Sequence, residues 1–342
     1  MGPECVAQSQ NDADATAPSP PFKHTEWSAD GTCLIATSVT SEIQTFVVPA
    51  DLLDKGREGP LRLTSYCTIP SPEPVKAVYI SPHSLAFNST GAFFIAGADS
   101  AIAVFDISRP GQPPVSFFKT GPKSNRDNRW NPTTRMKGLV SALALDNASS
   151  SILAAGTLTR SVALYSAAGQ GGGGDCIGAF SVQGNQADSA IHGAGITQLR
   201  WSPCGRYLFI AERKSDGVMV YDIRKTGQLL SWAQGRAARS NQRLGVDISS
   251  SPVTTTGGDG SCQVWAGGVD GHVRMWRDLH LHQGALQPCL QFMAHNDPVT
   301  AAIMHRAGGV LATASAPDYA HTNDRSNNSE AAQGPSLKIW TT

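Results

Sequence analysis

The chain has 342 residues, which is more than one average domain, yet a repeat-built β domain can carry that many residues as a single unit. Apolar residues make up 40% and charged residues 16%, with 34 glycines against 11 phenylalanines, a balance typical of a globular, β-rich chain and unlike a disordered or fibrous one. Lysine plus arginine equals aspartate plus glutamate at 27 each, which excludes a global attraction to nucleic acid or anionic membrane.

The cysteines and the beginning of the chain further restrict the class of protein that the sequence predicts. Seven cysteines are widely spaced without a CxxC pair, which argues against a disulfide framework and a zinc knuckle. No signal-peptide pattern opens the chain and no apolar run approaches bilayer length, so we expect an intracellular protein that binds no membrane. Residues 1–24 are polar and rich in Pro, Ala and Ser, which predicts a disordered tail before a single domain over 25–342.

A repeat runs through the predicted domain. Each copy contains a short apolar run that reaches an alanine, and later an apolar-x-x-aromatic ending. The endings are Ile43 to Phe46, Ile102 to Phe105, Val162 to Tyr165, Val218 to Tyr221, Val273 to Trp276 and Leu337 to Trp340. The runs are LIAT at 34–37, FIAG at 94–97, LAAG at 153–156, FIAE at 209–212, VWAG at 264–267 and VLAT at 310–313. The spacing leaves room for one strand, a tight turn and the next strand, with a polar insertion over 319–336 in the last copy.

These strands and turns predict an all-β, WD-repeat β-propeller. Turn signals, SADG at 28–31, NSTG at 88–91 and SPCG at 202–205, each follow an earlier short strand, as SPCG follows Ile196–Trp201. Outer strands are inferred at Ser116–Lys119 and Leu229–Trp232. Small residues on the second strand suit blades that converge towards the propeller axis. Six blades are legible. Residues 50–82 hold only two strand-like pieces, Leu61 to Thr68 and Val75 to Ile80, and predict an abbreviated additional blade.

No catalytic or metal-binding motif emerges. His280 and His282 are two possible ligands without a third at a helpful spacing, so we predict no metal and no cofactor. His192 and His295 open repeats four and six, where WD repeats place a structural histidine bonded to Ser, Thr or Asp, so a triad reading would be false. Acidic residues are scattered singly in turns. The chain is therefore predicted not to be an enzyme, with no evident small-molecule substrate.

Basic residues are concentrated in two segments. Residues 119–137 hold six basic residues against one acid, and residues 224–243 hold five against none. Each segment also has a tryptophan, Trp130 or Trp232. Basic side chains beside an aromatic suit single-stranded RNA, because cations meet phosphates and an indole stacks on a base. The alternative is that these are solvated loops, with Trp232 packed in a blade, or a surface for acidic proteins. The RNA candidates here are Lys123, Arg126, Arg129, Trp130, Arg236 and Arg239.

Three stretches carry a closer resemblance. His83 to Gly111, Gly195 to Arg224 and Ser240 to Ile248 resemble the telomerase Cajal body protein family of WD-repeat proteins, whose fungal branch is linked to pre-mRNA splicing. The shared features are the HSLAF start, the RK of the AERKSDG hairpin and the NQR before an aspartate. The resemblance implies seven blades, where six are legible here.

The resemblance also implies a function. It implies a propeller that binds small nuclear RNA, of the small Cajal body or telomerase RNA class, and supports ribonucleoprotein maturation, localisation or splicing in the nucleus, and possibly also in the cytoplasm. Protein partners would bind the propeller faces. The alternative is a protein-protein scaffold in spliceosome or other nuclear assembly without RNA contact. The residues carried over by motif are Arg213, Lys214, Asn241, Gln242 and Arg243, with Arg243 as the first expected phosphate or base contact.

Overall fold

The computed structural model has nearly all its regular structure in β-strands. It describes residues 2–9, 21–28, 31–38, 42–54, 59–70, 84–88, 92–109, 112–121, 136–146, 151–166, 174–225, 227–250, 261–317 and 335–342. These residues form six sheets whose main strands pair antiparallel in chain order. Each sheet is a blade of a propeller, so the predicted all-β propeller with six legible blades is confirmed.

The strands are numbered along the chain and grouped here by blade, from inner to outer strand. Blade 1 has β2 (Phe22–Trp27), β3 (Cys33–Ser38), β4 (Glu42–Val47) and β6 (Cys67–Pro70); blade 2 has β7 (Ser84–Phe87), β8 (Phe93–Ala98), β9 (Ala101–Asp106) and β10 (Ser116–Lys119). Blade 3 has β11 (Val140–Leu145), β12 (Ile152–Thr157), β13 (Ser161–Ser166) and β14 (Asp175–Ser181); blade 4 has β15 (Ile196–Trp201), β16 (Tyr207–Glu212), β17 (Gly217–Asp222), β18 (Leu229–Gln234) and β22 (Gly284–Leu286). Blade 5 has β19 (Val246–Ser250), β20 (Cys262–Gly267), β21 (His272–Arg277) and β23 (Leu290–Met293); blade 6 has β24 (Val299–Met304), β25 (Val310–Ser315), β26 (Leu337–Thr341), β1 (Glu4–Ser9) and β5 (Leu61–Leu63). One short helix, α1, spans Asp188–Ile191, and no helix in the described residues is long and apolar enough to cross a membrane.

The repeat places its two signatures on the middle strands of each blade. The apolar runs form the second strands and the aromatic endings form the third strands, as predicted. The alanines of the runs are buried; Ala36, Ala155 and Ala266 have no exposed surface. Two facing sheets can approach closely where these methyl groups meet, which is why a larger side chain is not found there.

The first residues of the chain complete the last blade. Strand β1 pairs antiparallel with β26, Glu4 opposite Thr341, and Ala7 is fully buried. The Oγ of Ser9 accepts a hydrogen bond of 2.8 Å from the backbone N–H of Leu337. The prediction of a disordered tail over 1–24 is therefore wrong for β1 and for the start of β2; residues 10–20 lie outside the described residues. A six-residue strand is too short to show a period in a polar, proline-rich context.

Residues 50–82 add strands to two existing blades. Strand β5 pairs parallel with β1 as the fifth strand of blade 6, and β6 pairs with β4 as the outer strand of blade 1. The second predicted strand-like piece, Val75 to Ile80, lies outside the described residues. Within the described parts of 50–82, both strands therefore extend sheets that already belong to other blades.

Polar contacts join one inner strand to the next around the axis. Ser84 Oγ donates to Val140 O at 2.8 Å and Ser141 Oγ donates to Ile196 O at 2.5 Å, joining blades 2, 3 and 4. The series continues from blade 4 to blade 1, through Gln198 Nε2 to Val246 O at 2.7 Å, Gly245 N to Thr300 O at 2.7 Å and Thr300 Oγ1 to Phe22 O at 2.8 Å. These bonds satisfy polar groups at buried blade boundaries and fix the relative height of neighbouring blades.

His295 has the structural role that the repeat predicted. It is buried; its Nε2 lies 2.7 Å from Thr313 Oγ1 and its Nδ1 lies 2.9 Å from Ser336 Oγ. Trp340 Nε1 donates to the same Thr313 hydroxyl at 2.8 Å. Burial lowers the pKa of His295 to about 3, so the ring is neutral at physiological pH. His192, in contrast, is exposed, so the WD histidine pattern does not extend to blade 4.

Candidate nucleic-acid interface

Two segments that carry the family motifs meet between blades 4 and 5. The first is the hairpin 213–216 between β16 and β17, and the second is the linker 235–245 between β18 and β19. The backbone N–H of Lys214 donates to Ser240 O at 2.9 Å. Asp216 holds the linker from the other side, because its Oδ1 accepts from Ala238 N at 3.0 Å and its carbonyl accepts from Arg236 N at 2.8 Å. Residues about 25 positions apart in sequence therefore form one surface, called here the hairpin–linker surface.

The cations of this surface differ in how they are held. Lys214 is exposed on a left-handed residue with φ +55°, which turns the chain sharply at the hairpin tip. The Arg239 side chain is 60% exposed and forms an ion pair with Asp216. Arg213 is half-buried, and its Nε donates to Ala194 O at 2.9 Å. Lys214 and Arg239 thus point their charge to solvent, while Arg213 is partly used within blade 4.

The position of Arg236 contradicts its prediction as an RNA contact. Its side chain is 1% exposed; the guanidinium donates to the carbonyls of Leu244 at 2.7 Å, Gly245 at 3.3 Å and Gly267 at 3.2 Å. Burial lowers its pKa to about 10. An arginine enclosed in this way cannot reach a phosphate; it ties the linker to blade 5. The sequence does not distinguish the two residues, because Arg236 and Arg239 stand in the same basic segment.

Trp232 is also a blade residue. It is 8% exposed and packs in the hydrophobic core between blades 3 and 4. The alternative reading, a packed tryptophan, is therefore correct, and Trp232 does not offer a stacking face. The structure does not test the prediction for the other basic segment, because Lys123, Arg126, Arg129 and Trp130 lie outside the described residues.

The linker continues into the central channel. A cavity of about 790 Å³, called here the channel, is lined by residues on or next to the inner strands of all six blades. Asn241, Gln242 and Arg243 contribute to its wall, so three of the five motif residues face the propeller axis. Gln242 is fixed by its backbone N–H to Ser240 Oγ at 2.9 Å and by its Nε2 to Ala316 O at 3.3 Å.

Charged groups inside the channel act on one another. Arg243 is exposed to channel water, yet protein surrounds it, and this enclosure together with the charge of Arg200 lowers its pKa. Burial also lowers the pKa of His24, which feels Glu26 and both arginines. The sequence analysis did not single out Arg200 and His24. The signal that could have identified Arg200 is its charge within the inner strand ITQLRW, because a strand that serves only the fold needs no charged residue there.

A buried ion cluster stands beside the hairpin. Arg160 donates from Nε to Glu212 Oε1 at 2.7 Å and from Nη2 to Asp188 Oδ1 at 2.6 Å, joining blades 3 and 4 through α1. Glu212 is at the end of β16 with its side chain fully enclosed. This cluster fixes the base of the hairpin 213–216, and its two carboxylates share the single positive charge of Arg160.

The described residues hold no group of three or more His, Cys, Asp or Glu side chains arranged for a metal ion. His280 is buried in a 3-10 turn over Leu279–Leu281, with its ring 5.0 Å from that of Tyr207. His282 follows at the end of that turn. The pair therefore stands at the edge of blade 5, with His280 used in packing.

Known proteins resemble the chain over most of its length. No protein-family model matches it. Human telomerase Cajal body protein 1 is 27% identical over 237 residues, which cover 68% of this chain and 36% of the human protein. The resemblance to telomerase Cajal body proteins is confirmed. The bovine protein of the same name is 24% identical over 353 residues, covering 88% of this chain and 58% of the bovine one. The chain thus spans about a third to a little over half of these relatives.

A second relative and a solved structure extend the comparison. Guanine nucleotide-binding protein negative regulator 1 of Schizosaccharomyces pombe is 24% identical over 330 residues, covering 82% of this chain and 75% of that protein. A chain in the crystal structure of the mitotic checkpoint complex matches with a TM-score of 0.50 at 14% identity, over 96% of this chain and 76% of that one. This structural likeness supports the propeller fold alone.

Proposed function

We propose that this protein is a nuclear, non-catalytic propeller that binds small nuclear RNA through the hairpin–linker surface and supports ribonucleoprotein maturation, localisation or splicing. One observation carries the proposal. The hairpin and linker, which bear the motifs of the telomerase Cajal body proteins, are bonded to each other at the channel mouth and keep Lys214, Arg239 and Arg243 exposed.

The charge arrangement supports RNA rather than double-stranded DNA. The whole chain is neutral, so an electrostatic attraction has to come from a local group of cations. Three exposed cations on a small surface suit a short, single-stranded element of an RNA loop, where a few phosphates meet side chains and unpaired bases remain accessible. Asn241, exposed beside Arg243, adds an amide that donates to and accepts from base edges.

The names of the mammalian relatives support the RNA class and the location. Telomerase and the Cajal body are nuclear terms, and they are carried by relatives that match 68% to 88% of this chain. The matched part is the propeller, because it is the propeller that this chain contains. These names support the proposal of a nuclear location, with ribonucleoprotein components as partners.

A protein scaffold is the second candidate. The Schizosaccharomyces pombe relative is named as a negative regulator of a guanine nucleotide-binding protein, and it is matched over a larger share of its own length than the mammalian relatives. A partner of that kind would be a protein. In this alternative the exposed cations bind an acidic protein surface, and the protein assembles a nuclear complex without touching RNA.

Crosslinking in living cells followed by sequencing of the bound RNA separates the two candidates. The full chain is compared with the double variant Arg239→Gln plus Arg243→Gln, with Arg109→Gln, an exposed arginine at the outer edge of blade 2, as the matched control. We expect small nuclear RNA to be enriched with the native chain and the control and lost with the double variant. If the double variant recovers as much small nuclear RNA as the native chain, RNA binds at another surface. If the native chain itself does not enrich small nuclear RNA, the protein-scaffold candidate is the one that remains.

A further inference from the structure

The channel contains a set of cations that the RNA proposal does not use. Its described lining includes two arginines, Arg200 and Arg243, and one lysine, Lys23, against one carboxylate, Glu26. The described wall therefore carries two more positive than negative charges, without counting His24. These charged residues come from blades 1 and 4 and from the linker, so this excess is not a local run of sequence.

The two arginines have no counterion in the described part of the chain. No hydrogen bond or ion pair joins either guanidinium to another described residue, and the Nε of Arg200 is buried without a hydrogen-bond partner. A buried donor left unpaired costs about 1 to 3 kcal/mol. Two other enclosed arginines in the described residues do have partners: Arg160 donates to two carboxylates and Arg236 to three carbonyls. Arg200 differs from both.

Gln242, which lines the same cavity, has a second unpaired polar atom. Its Oε1 is buried without a hydrogen-bond partner among the described residues, while its Nε2 donates to Ala316 O at 3.3 Å. Asn241 is exposed beside it. A ligand with both acceptor oxygens and a hydroxyl would satisfy the guanidinium groups and this amide oxygen together.

We propose that the channel binds a small phosphorylated molecule, with Arg200 and Arg243 holding its phosphate oxygens. Planar guanidinium forks match phosphate oxygens by paired hydrogen bonds, and a lysine adds a point charge. The excess of two charges on the wall matches a phosphate dianion. The cavity volume of about 790 Å³ falls in the range that holds a nucleotide-sized molecule.

This site is distinct from the proposed RNA surface, although the two share Arg243. Arg200 lies within the inner strand of blade 4, whereas Lys214 and Arg239 lie on the outside of the hairpin and linker. A small ligand in the channel needs Arg200, and RNA on the hairpin–linker surface does not. The inference therefore does not rest on the proposed function.

Isothermal titration with inorganic pyrophosphate tests the proposal on the full chain. We expect saturable binding to the native chain that weakens about tenfold or more in Arg200→Gln and in Arg243→Gln, because each loses charged hydrogen bonds. Arg277→Gln, which removes an exposed arginine at the end of β21, should bind as the native chain does. Sodium sulfate at the same ionic strength serves as the reference anion and should compete weakly.

Several outcomes overturn the proposal. Equal pyrophosphate affinity in the native chain and Arg200→Gln would show that binding is elsewhere, and an absence of binding to a folded native chain would remove the site. If Arg200→Gln does not fold, Arg200→Lys keeps the charge and the stem but loses the fork, and Arg243→Gln alters an exposed residue. RNA recovery in cells from Arg200→Gln distinguishes the two proposals. If this variant still recovers RNA but no longer binds pyrophosphate, both proposals are supported. If the native chain binds pyrophosphate but recovers no RNA, only the channel site is supported.

Discussion

The Thr300 hydroxyl donates a hydrogen bond of 2.8 Å to the carbonyl oxygen of Phe22, and so joins the inner strand of blade 6 to that of blade 1. Both residues are buried, so water cannot replace either partner. The chain positions are 278 apart, which makes this a contact that exists only when blades 6 and 1 come together.

Thr300→Val should destabilise the protein with little change of shape. The isosteric valine removes the donor and leaves the Phe22 carbonyl buried and unpaired, so we expect the free energy of unfolding to fall by about 1 to 3 kcal/mol. Urea denaturation followed by tryptophan fluorescence measures it. Thr342→Val, which changes an exposed threonine, should leave the free energy of unfolding within about 0.5 kcal/mol of native. Equal midpoints for the two variants would contradict the assigned role.

Glu212→Gln should be far more damaging than removal of a surface carboxylate. The change keeps Asp188 as the counterion of Arg160 but replaces one enclosed acceptor oxygen by an amide nitrogen that cannot accept from the guanidinium, so we expect a loss of about 2 kcal/mol. Asp222→Asn breaks the exposed pair with Arg224 and should cost less than about 1 kcal/mol. Thermal unfolding of both variants checks the order, which would be reversed or absent if the Arg160 cluster were merely a surface feature.

The native chain should lose stability below neutral pH because of His295. Burial depresses the pKa of His295 to about 3, so between about 6.5 and 3 the unfolded state binds a proton that the folded state does not. Stability is full above the unfolded pKa and falls as pH decreases, by about 2 kcal/mol from pH 7 to pH 5. Urea titrations at several pH values measure the slope.

The matched variants isolate that slope. His295→Gln should be less stable at pH 7 but should lose this part of the pH dependence, since glutamine does not titrate. His192→Gln removes an exposed histidine and should follow the native curve. An unchanged slope in His295→Gln would show that the buried ring does not cause the acid sensitivity.

Arg236→Gln and Arg239→Gln should separate a structural arginine from a surface one. Loss of the Arg236 guanidinium leaves the carbonyls of Leu244, Gly245 and Gly267 without their donor, and we expect about 2 kcal/mol or more of destabilisation. Arg239 forms only an exposed pair with Asp216, so its loss should cost less than about 1 kcal/mol. Comparable effects of the two changes would argue against the burial of Arg236.

Arg239→Gln plus Arg243→Gln should weaken RNA binding and flatten its dependence on salt. Each lost phosphate contact lowers the slope of log affinity against log salt concentration by about one, so the double variant should lose about two. Fluorescence anisotropy with a labelled small nuclear RNA loop at several salt concentrations measures the slope. Arg109→Gln should keep the native slope, and a parallel loss there would indicate a nonspecific effect of charge.

The fold was largely predictable because its signals repeat. Endings such as Val162 to Tyr165 and Val273 to Trp276 occur once per blade, so each blade supports the reading of the next. Strand β1 gave no such support, because its pairing partner lies at the far end of the chain and its own pattern spans only six residues.

The candidate site was predictable only in part. The structure brings together the two segments that carry the motifs at Lys214 and Arg243, and their role as an RNA site stays a prediction. Arg236 is buried whereas Arg239, only three positions away, is exposed. The pattern of charges along the sequence does not show which of the two is buried. The proximity of Arg200 and Arg243 arises from the ring geometry, since the two residues are contributed by different parts of the propeller wall.

The pairing of β1 with β26 also sets an order of events during synthesis. Strand β1 is made more than 300 residues before its antiparallel partner. Until β26 has been made, blade 6 lacks its third strand and β1 has no antiparallel partner, so exposed strand edges can pair with other chains. Blade 6 is therefore completed only after β26 has been made, and the nascent protein depends on protection from aggregation until then.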